Sequence, residues 1–253
     1  MTNAPAGECN FIRLSGSSSR SGRPAHPHAA FTLIEMLVVI AIMGILAALI
    51  FPVTAAVNKQ KILGVAKTEL AKVESAIEAY KAKTGSYPPD NTLAAANGTL
   101  YYPPYVNQLY YELVGTTFDP IAAKFTSKDG ISTIPAANVK PLFGVDGFIN
   151  ASQGAGGDEG PKTDNFFKTI KPTQIGTLVD GTTKILVCSI TWPNPGSPPY
   201  YPAGVANLNP WRYVSSSPTN NTRGFDLWVD VIVGGKTNRI CNWSRDPIKV
   251  STP

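Results

Sequence analysis

One stretch limits what this chain can fold into. From Phe31 to Phe51 there are 21 residues with a single charge, Glu35, and none at all from Met36 to Asn58. A bilayer core takes about 20 apolar residues as helix, so the length fits a membrane span. A secretory signal has a shorter apolar region, roughly 7–15 residues, followed by a small-residue cleavage site. Val53-Thr54-Ala55 has the composition of such a site. An ordinary signal anchor is the other reading. Neither accounts for a carboxylate inside the run, nor for the helix that continues past it.

That continuation is written in the spacing. Ile62, Ala66, Leu70, Val73, Ile77 and Tyr80 recur every three or four residues and form one helical stripe. Lys59, Lys67, Lys72, Glu74, Glu78 and Lys81 occupy the other faces. Gly85 and then Pro88-Pro89 end the helix. Pro52 lacks an amide hydrogen and is expected to kink or locally melt it. The domain plan is therefore a leader over 1–30, a transmembrane helix over 31–57, its amphipathic continuation over 58–84, and a globular head over 85–253.

The leader is low in complexity, serine-rich and without a hydrophobic period, as disordered segments are. It holds Arg13, Arg20 and Arg23 against Glu8, and both histidines, His26 and His28. Without it the chain keeps 19 basic and 16 acidic residues, too mild a balance to argue for nucleic acid. It also keeps no histidine, which removes a His-based triad, dyad or zinc site. No pair of carboxylates stands out for hydrolysis, so the expectation is no enzyme, no cofactor and no small-molecule substrate.

The head is rich in turns; Gly and Pro make up 44 residues of the whole chain. Residues 115–165 read as mostly loop, and 107–114 as a short helix or strand. Strands come late. Thr177-Leu178-Val179 and 184–190 flank Asp180-Gly181, a hairpin signal. Trp211 to Ser215 is another strand. Phe225 to Val233 alternates and meets Lys236 to Trp243 through Gly234-Gly235. The sum is an α+β chain: a long N-terminal helix packed on a C-terminal antiparallel sheet of four to five strands. The sheet face carrying Phe225, Leu227, Val229 and Val231 should receive the helix stripe. Cys188 and Cys241 lie in apolar strand-like runs, either as a disulfide pair or as two buried free thiols.

Phe-Thr-Leu-Ile-Glu-Met-Leu-Val-Val-Ile-Ala-Ile at 31–42 closely resembles the prepilin cleavage and methylation segment of type IV pilins and type II secretion pseudopilins. The features that carry the likeness are a basic leader, a small residue at the junction, Phe first, Glu fifth, and Pro52 near the twenty-second position. It covers roughly residues 23–90; beyond that only the plan of helix plus antiparallel sheet is pilin-like.

The resemblance implies cleavage between Ala30 and Phe31 by a prepilin peptidase on the cytoplasmic side, and N-methylation of Phe31. Ala30 stands where the family usually has Gly. It implies that Glu35 pairs with a neighbour's Phe31 ammonium and sets the register of a helical filament. The other reading of Glu35 is an acid at headgroup level that snorkels into water. An acid also suits the positive N-terminus of a helix. The partners implied are other copies and related pilins or pseudopilins, and an inner-membrane assembly platform with its ATPase. The implied location is a single-pass inner-membrane protein with its head in the periplasm, later part of a filament in the periplasm or on the cell surface. Three arginines precede the apolar run and Lys59, Lys61, Lys67 and Lys72 follow it, so charge alone leaves orientation open.

Major pseudopilins often end in an Asp-rich calcium loop, and no such cluster stands near this C-terminus. Asp158, Glu159 and Asp164 in a Gly-rich loop are the weak calcium candidates, set against a solvated acidic loop. The expected function is a filament subunit for type II protein secretion, as a divergent major or a minor pseudopilin; the alternatives are a type IV pilin subunit for adhesion, motility or DNA uptake, and an exported carbohydrate- or DNA-binding module using Tyr200-Tyr201, Trp211 and Arg212.

Overall fold

A computed structural model describes residues 31–93, 105–153, 162–192 and 207–250, with backbone alone at 49–56. The chain divides into two compact units, 1–50 and 51–253.

Helix α1 spans Leu33–Thr84 and crosses from the first unit into the second. The backbone is helical through Pro52. Gly85, at φ 85°, ends it by donating its amide to the Lys81 carbonyl at 2.8 Å. Among the described residues no helix is long and apolar enough to cross a membrane.

In the second unit the predicted stripe is the buried face of α1. Ala66, Leu70, Val73, Ile77 and Tyr80 lie in the core, and Ile62 is half-buried against it. Past the helix, the chain is pinned to the far end of the sequence. The Pro88 carbonyl accepts from Tyr213 Oη at 2.8 Å and Ser215 Oγ at 2.9 Å, and Asp90 accepts from the amides of Ser215 and Ser216.

Helix α2, Leu109–Val114, is buried at every position. The next stretch, expected to be mostly loop, instead builds a small sheet from β1 (Thr116–Asp119), β2 (Lys124–Ser127), β3 (Thr133–Pro135) and β4 (Ala151–Gln153). Its order is β3-β2-β1-β4, with β1 and β4 parallel. Helix α3, Ala136–Phe143, sits between β3 and β4 in sequence. Strands of three or four residues, half of them threonine, serine or lysine, carry too little apolar alternation to read in advance.

The later strands form where expected but divide differently. β5 (Ile175–Thr177) and β6 (Lys184–Leu186) make a two-stranded antiparallel hairpin. Gly181 at φ 73° and the Asp180 carboxylate, which accepts from the Thr182 and Thr183 amides, shape its turn. β7 (Arg212–Val214), β8 (Asp226–Val233), β9 (Lys236–Cys241) and β10 (Ile248–Val250) form the main sheet, in the order β10-β9-β8-β7. The single sheet expected from sequence is thus two sheets, joined among the described residues by the bridge Val187 to Pro210 and neighbouring backbone bonds. The chain leaves regular strand geometry after Leu186, which ends the ladder early. Gly234 and Gly235 both have positive φ, as the tight turn between β8 and β9 requires.

Phe225, Leu227, Val229 and Val231 are buried and share one core with the α1 stripe. Cys188 and Cys241 are both buried and stand as free thiols.

Candidate functional site

Two of the residues singled out in the sequence, Phe31 and Glu35, stand at the start of α1. Phe31 and Thr32 precede the first helical residue, Leu33. A helix start leaves backbone amides without partners. Here Glu35 N donates to Thr32 Oγ1 at 3.2 Å while Glu35 Oε2 accepts from Thr32 N at 2.9 Å. Thr32 Oγ1 also donates to Oε2 at 2.8 Å. This is a reciprocal capping box, with Thr32 as N-cap and Glu35 three residues on. Glu35 Oε1 has no bond among the described residues, so one oxygen of the carboxylate stays open to an outside donor.

Every described side chain from Phe31 to Ala48 is exposed, including Leu33 at 84%, Ile34 at 68% and Ile40 at 66%. The apolar surface goes all round the helix. A helix apolar on every side is normally covered by other protein or by lipid. The sequence reading gave Glu35 its place but passed over Thr32. The signal was there: Thr-x-x-Glu ahead of an apolar run is a capping-box pattern.

Two further acids, unmarked in the sequence, fix the α1 continuation to the head. Glu69 is 8% exposed; it accepts from the Ser189 amide at 3.0 Å and from the Ser189 hydroxyl. Glu112, fully buried in α2, accepts from Tyr80 Oη of α1 at 3.0 Å and from the Ile149 and Asn150 amides at 2.9 Å each. Burial raises the Glu112 carboxyl above its ordinary value, opposed by those donors. Asn150 then ties in the next segment, with its side-chain amide donating to the carbonyls of Glu112 and Asp164.

The remaining candidates are dispersed. Asp164 forms an ion pair with Lys83, which holds its carboxyl below the usual range. Its two calcium partners, Asp158 and Glu159, lie outside the described residues, as do Ala30, Tyr200 and Tyr201. Trp211 and Arg212, offered for a binding surface, are buried. A buried Trp and Arg do not form an exposed platform for sugar or DNA.

Residues 26–51 match a family model described as the prokaryotic N-terminal methylation motif, the prepilin-type cleavage and methylation segment of type IV pilins and pseudopilins. No curated protein matches the chain, and no solved structure does.

Proposed function

We propose that this chain, which carries the prepilin-type segment, is a structural subunit of a pilin-like filament. It is made with a leader, cut between Ala30 and Phe31 by a prepilin peptidase, methylated at Phe31 and assembled through α1. The methylation motif at 26–51 is the observation that carries this reading. The capped helix start and the exposure of the apolar run all round the helix support it. Before assembly, residues 31–57 lie in the inner membrane and the head lies in the periplasm. In the filament the run packs against the same segment of other copies.

Glu35 is the assembly contact. A carboxylate in an apolar environment is costly without a partner. Thr32 satisfies Oε2, and the open Oε1 faces the methylated Phe31 ammonium of a neighbouring subunit. The machine we assign is type II secretion, with an inner-membrane platform and its ATPase as partners. A type IV pilus for adhesion, motility or DNA uptake is the close alternative. A structural subunit needs no catalytic residues.

Mass spectrometry of the mature N-terminus tests the reading directly. N-methyl-Phe at position 31 is expected. A mature chain beginning at Ala56 would show release by an ordinary signal peptidase and would sink the filament reading. Deleting the subunit separates the two machines: loss of exported enzymes into the medium marks secretion, and loss of surface fibres or twitching marks the pilus.

A further inference from the structure

Beyond the apolar run, α1 turns strongly basic. Lys59, Lys61, Lys67 and Lys72 stand against one acid, Glu69, before Glu74 is reached. Two of these, Lys61 and Lys72, meet Lys171, from the segment before the short 3-10 turn at Pro172–Gln174, around a single groove of about 400 Å³. All three lysines are exposed, and none has an acidic partner among the described residues. The one carboxylate at the groove, Glu69, is buried and takes both of its bonds from Ser189. The Thr68 hydroxyl donates to the Gly64 carbonyl at 2.8 Å, so the cationic donors at the groove are the three lysine ammonium groups. Nothing stands within 4 Å of where a side chain on Gly64 would begin, so the groove stays open there. Its walls are otherwise Val65, Gln174 and the lysine stems, and no aromatic residue among the described ones lines it.

This combination selects among anions. Single-stranded nucleic acid is held by stacking on aromatic faces together with basic grooves, and the stacking faces are missing from this groove. A duplex calls for more phosphate contacts than three lysines supply. An anionic amphiphile suits it better, because lysine heads take the phosphate while their methylene stems and Val65 lie against apolar chain. Position agrees. Along the continuous helix, Lys61 lies about 6 Å beyond Val57 and Lys72 about 22 Å beyond it, at 1.5 Å per residue. The Lys61 end is therefore at headgroup level, within a Debye length of the surface.

We infer that the membrane-proximal end of this groove docks the phosphate headgroup of an anionic phospholipid from the bilayer that the chain's own helix enters. The inference rests on the membrane reading above. The consequence is that the head is held down against the membrane until extraction into a filament pulls Lys61 away from it.

The test uses the full chain in vesicles of phosphatidylcholine, with and without one third phosphatidylglycerol. Carbonate extraction comes first. A chain that washes off the vesicles would overturn the membrane reading and this inference together. For an inserted chain, native mass spectrometry after detergent release reads the ratio of retained phosphatidylglycerol to phosphatidylcholine. The expected result is enrichment of phosphatidylglycerol, about fivefold weaker in Lys61→Gln at roughly one lysine's worth of surface attraction. A smaller loss is expected in Lys72→Gln and none in Lys236→Gln, an exposed lysine at the turn of β8 and β9 that does not line the groove. Equal retention of the two lipids, or no effect of Lys61→Gln, would overturn the inference alone. So would glycerol phosphate protecting the amides of 61–72 as fully as the lipid does, which would mark a free-phosphate site. Lys61-dependent binding of a labelled oligonucleotide in place of lipid enrichment would likewise overturn it.

Discussion

Thr32 and Glu35 hold the beginning of α1 by reciprocal bonds, and the two contributions can be separated. Thr32→Ala removes the hydroxyl and should cost about 1 kcal/mol at the helix start. Faster amide exchange at 33–36 would show it, with membrane association unchanged. Glu35→Gln keeps an oxygen for the Thr32 amide and removes only the charge. Filament incorporation should fall in Glu35→Gln and persist in Thr32→Ala; equal incorporation of Glu35→Gln and wild type would contradict the register role. Asp226 offers a second test in the head. Burial pushes its carboxyl up, but the amides of Asn220, Asn221 and Thr219 and the Asn220 side chain outweigh that and hold it below its ordinary value. A depressed value means the stabilisation is present above the unfolded pKa of about 3.9 and is lost as pH falls through the lower folded value. Asp226→Asn should therefore lower stability by about 1–3 kcal/mol at neutral pH. The gap to wild type should narrow in acid, as thermal melts of the detergent-solubilised chain at pH 7 and pH 3 would show.

The elements differ in how far they could be read from sequence, and the reason is range. The α1 stripe was legible because helical spacing is a local property and because Ala66 through Tyr80 all face one core. The Gly234-Gly235 hairpin was legible for the same reason. The sheet of β1 to β4 was not, because its strands are three or four residues long and one pairing is parallel. Nor were the acids that dock α1. Glu69 meets Ser189 across 120 residues, and Glu112 meets Ile149 and Asn150 across 37 and 38. At this scale Ile77→Ala, which empties part of the core beneath the stripe, should destabilise the head by about 2–5 kcal/mol. Ile45→Ala, on the exposed apolar half, should leave the melting of the head unchanged. A loss of head stability from Ile45→Ala would mean that the first half of α1 also serves as core.

Across the whole molecule, the described thiols are inert by position. Cys188 and Cys241 are both buried, and burial raises both thiols above their ordinary value. A chain that has lost its leader, and Cys9 with it, should take up no maleimide when native and two equivalents when unfolded, without any reductant. Labelling only after reduction would establish a bridge. At the same scale the sequence placed the helix, its apolar half and the sheet face beneath the stripe. It gave the head one sheet where there are several, since the division depends on contacts that form only when distant segments meet.

The cap at Thr32 bears on the order of events in the life of the chain. The bond read as the cleavage point lies upstream of Thr32, and therefore upstream of all three cap bonds and of the first helical turn. Among the described residues, cutting it severs no hydrogen bond of the helix. Maturation is in this sense decoupled from folding: the same folded helix can be presented to the peptidase, released by it and passed on. What changes is one new amine, placed at the positive end of a helix dipole, where a cation is disfavoured unless a carboxylate stands near.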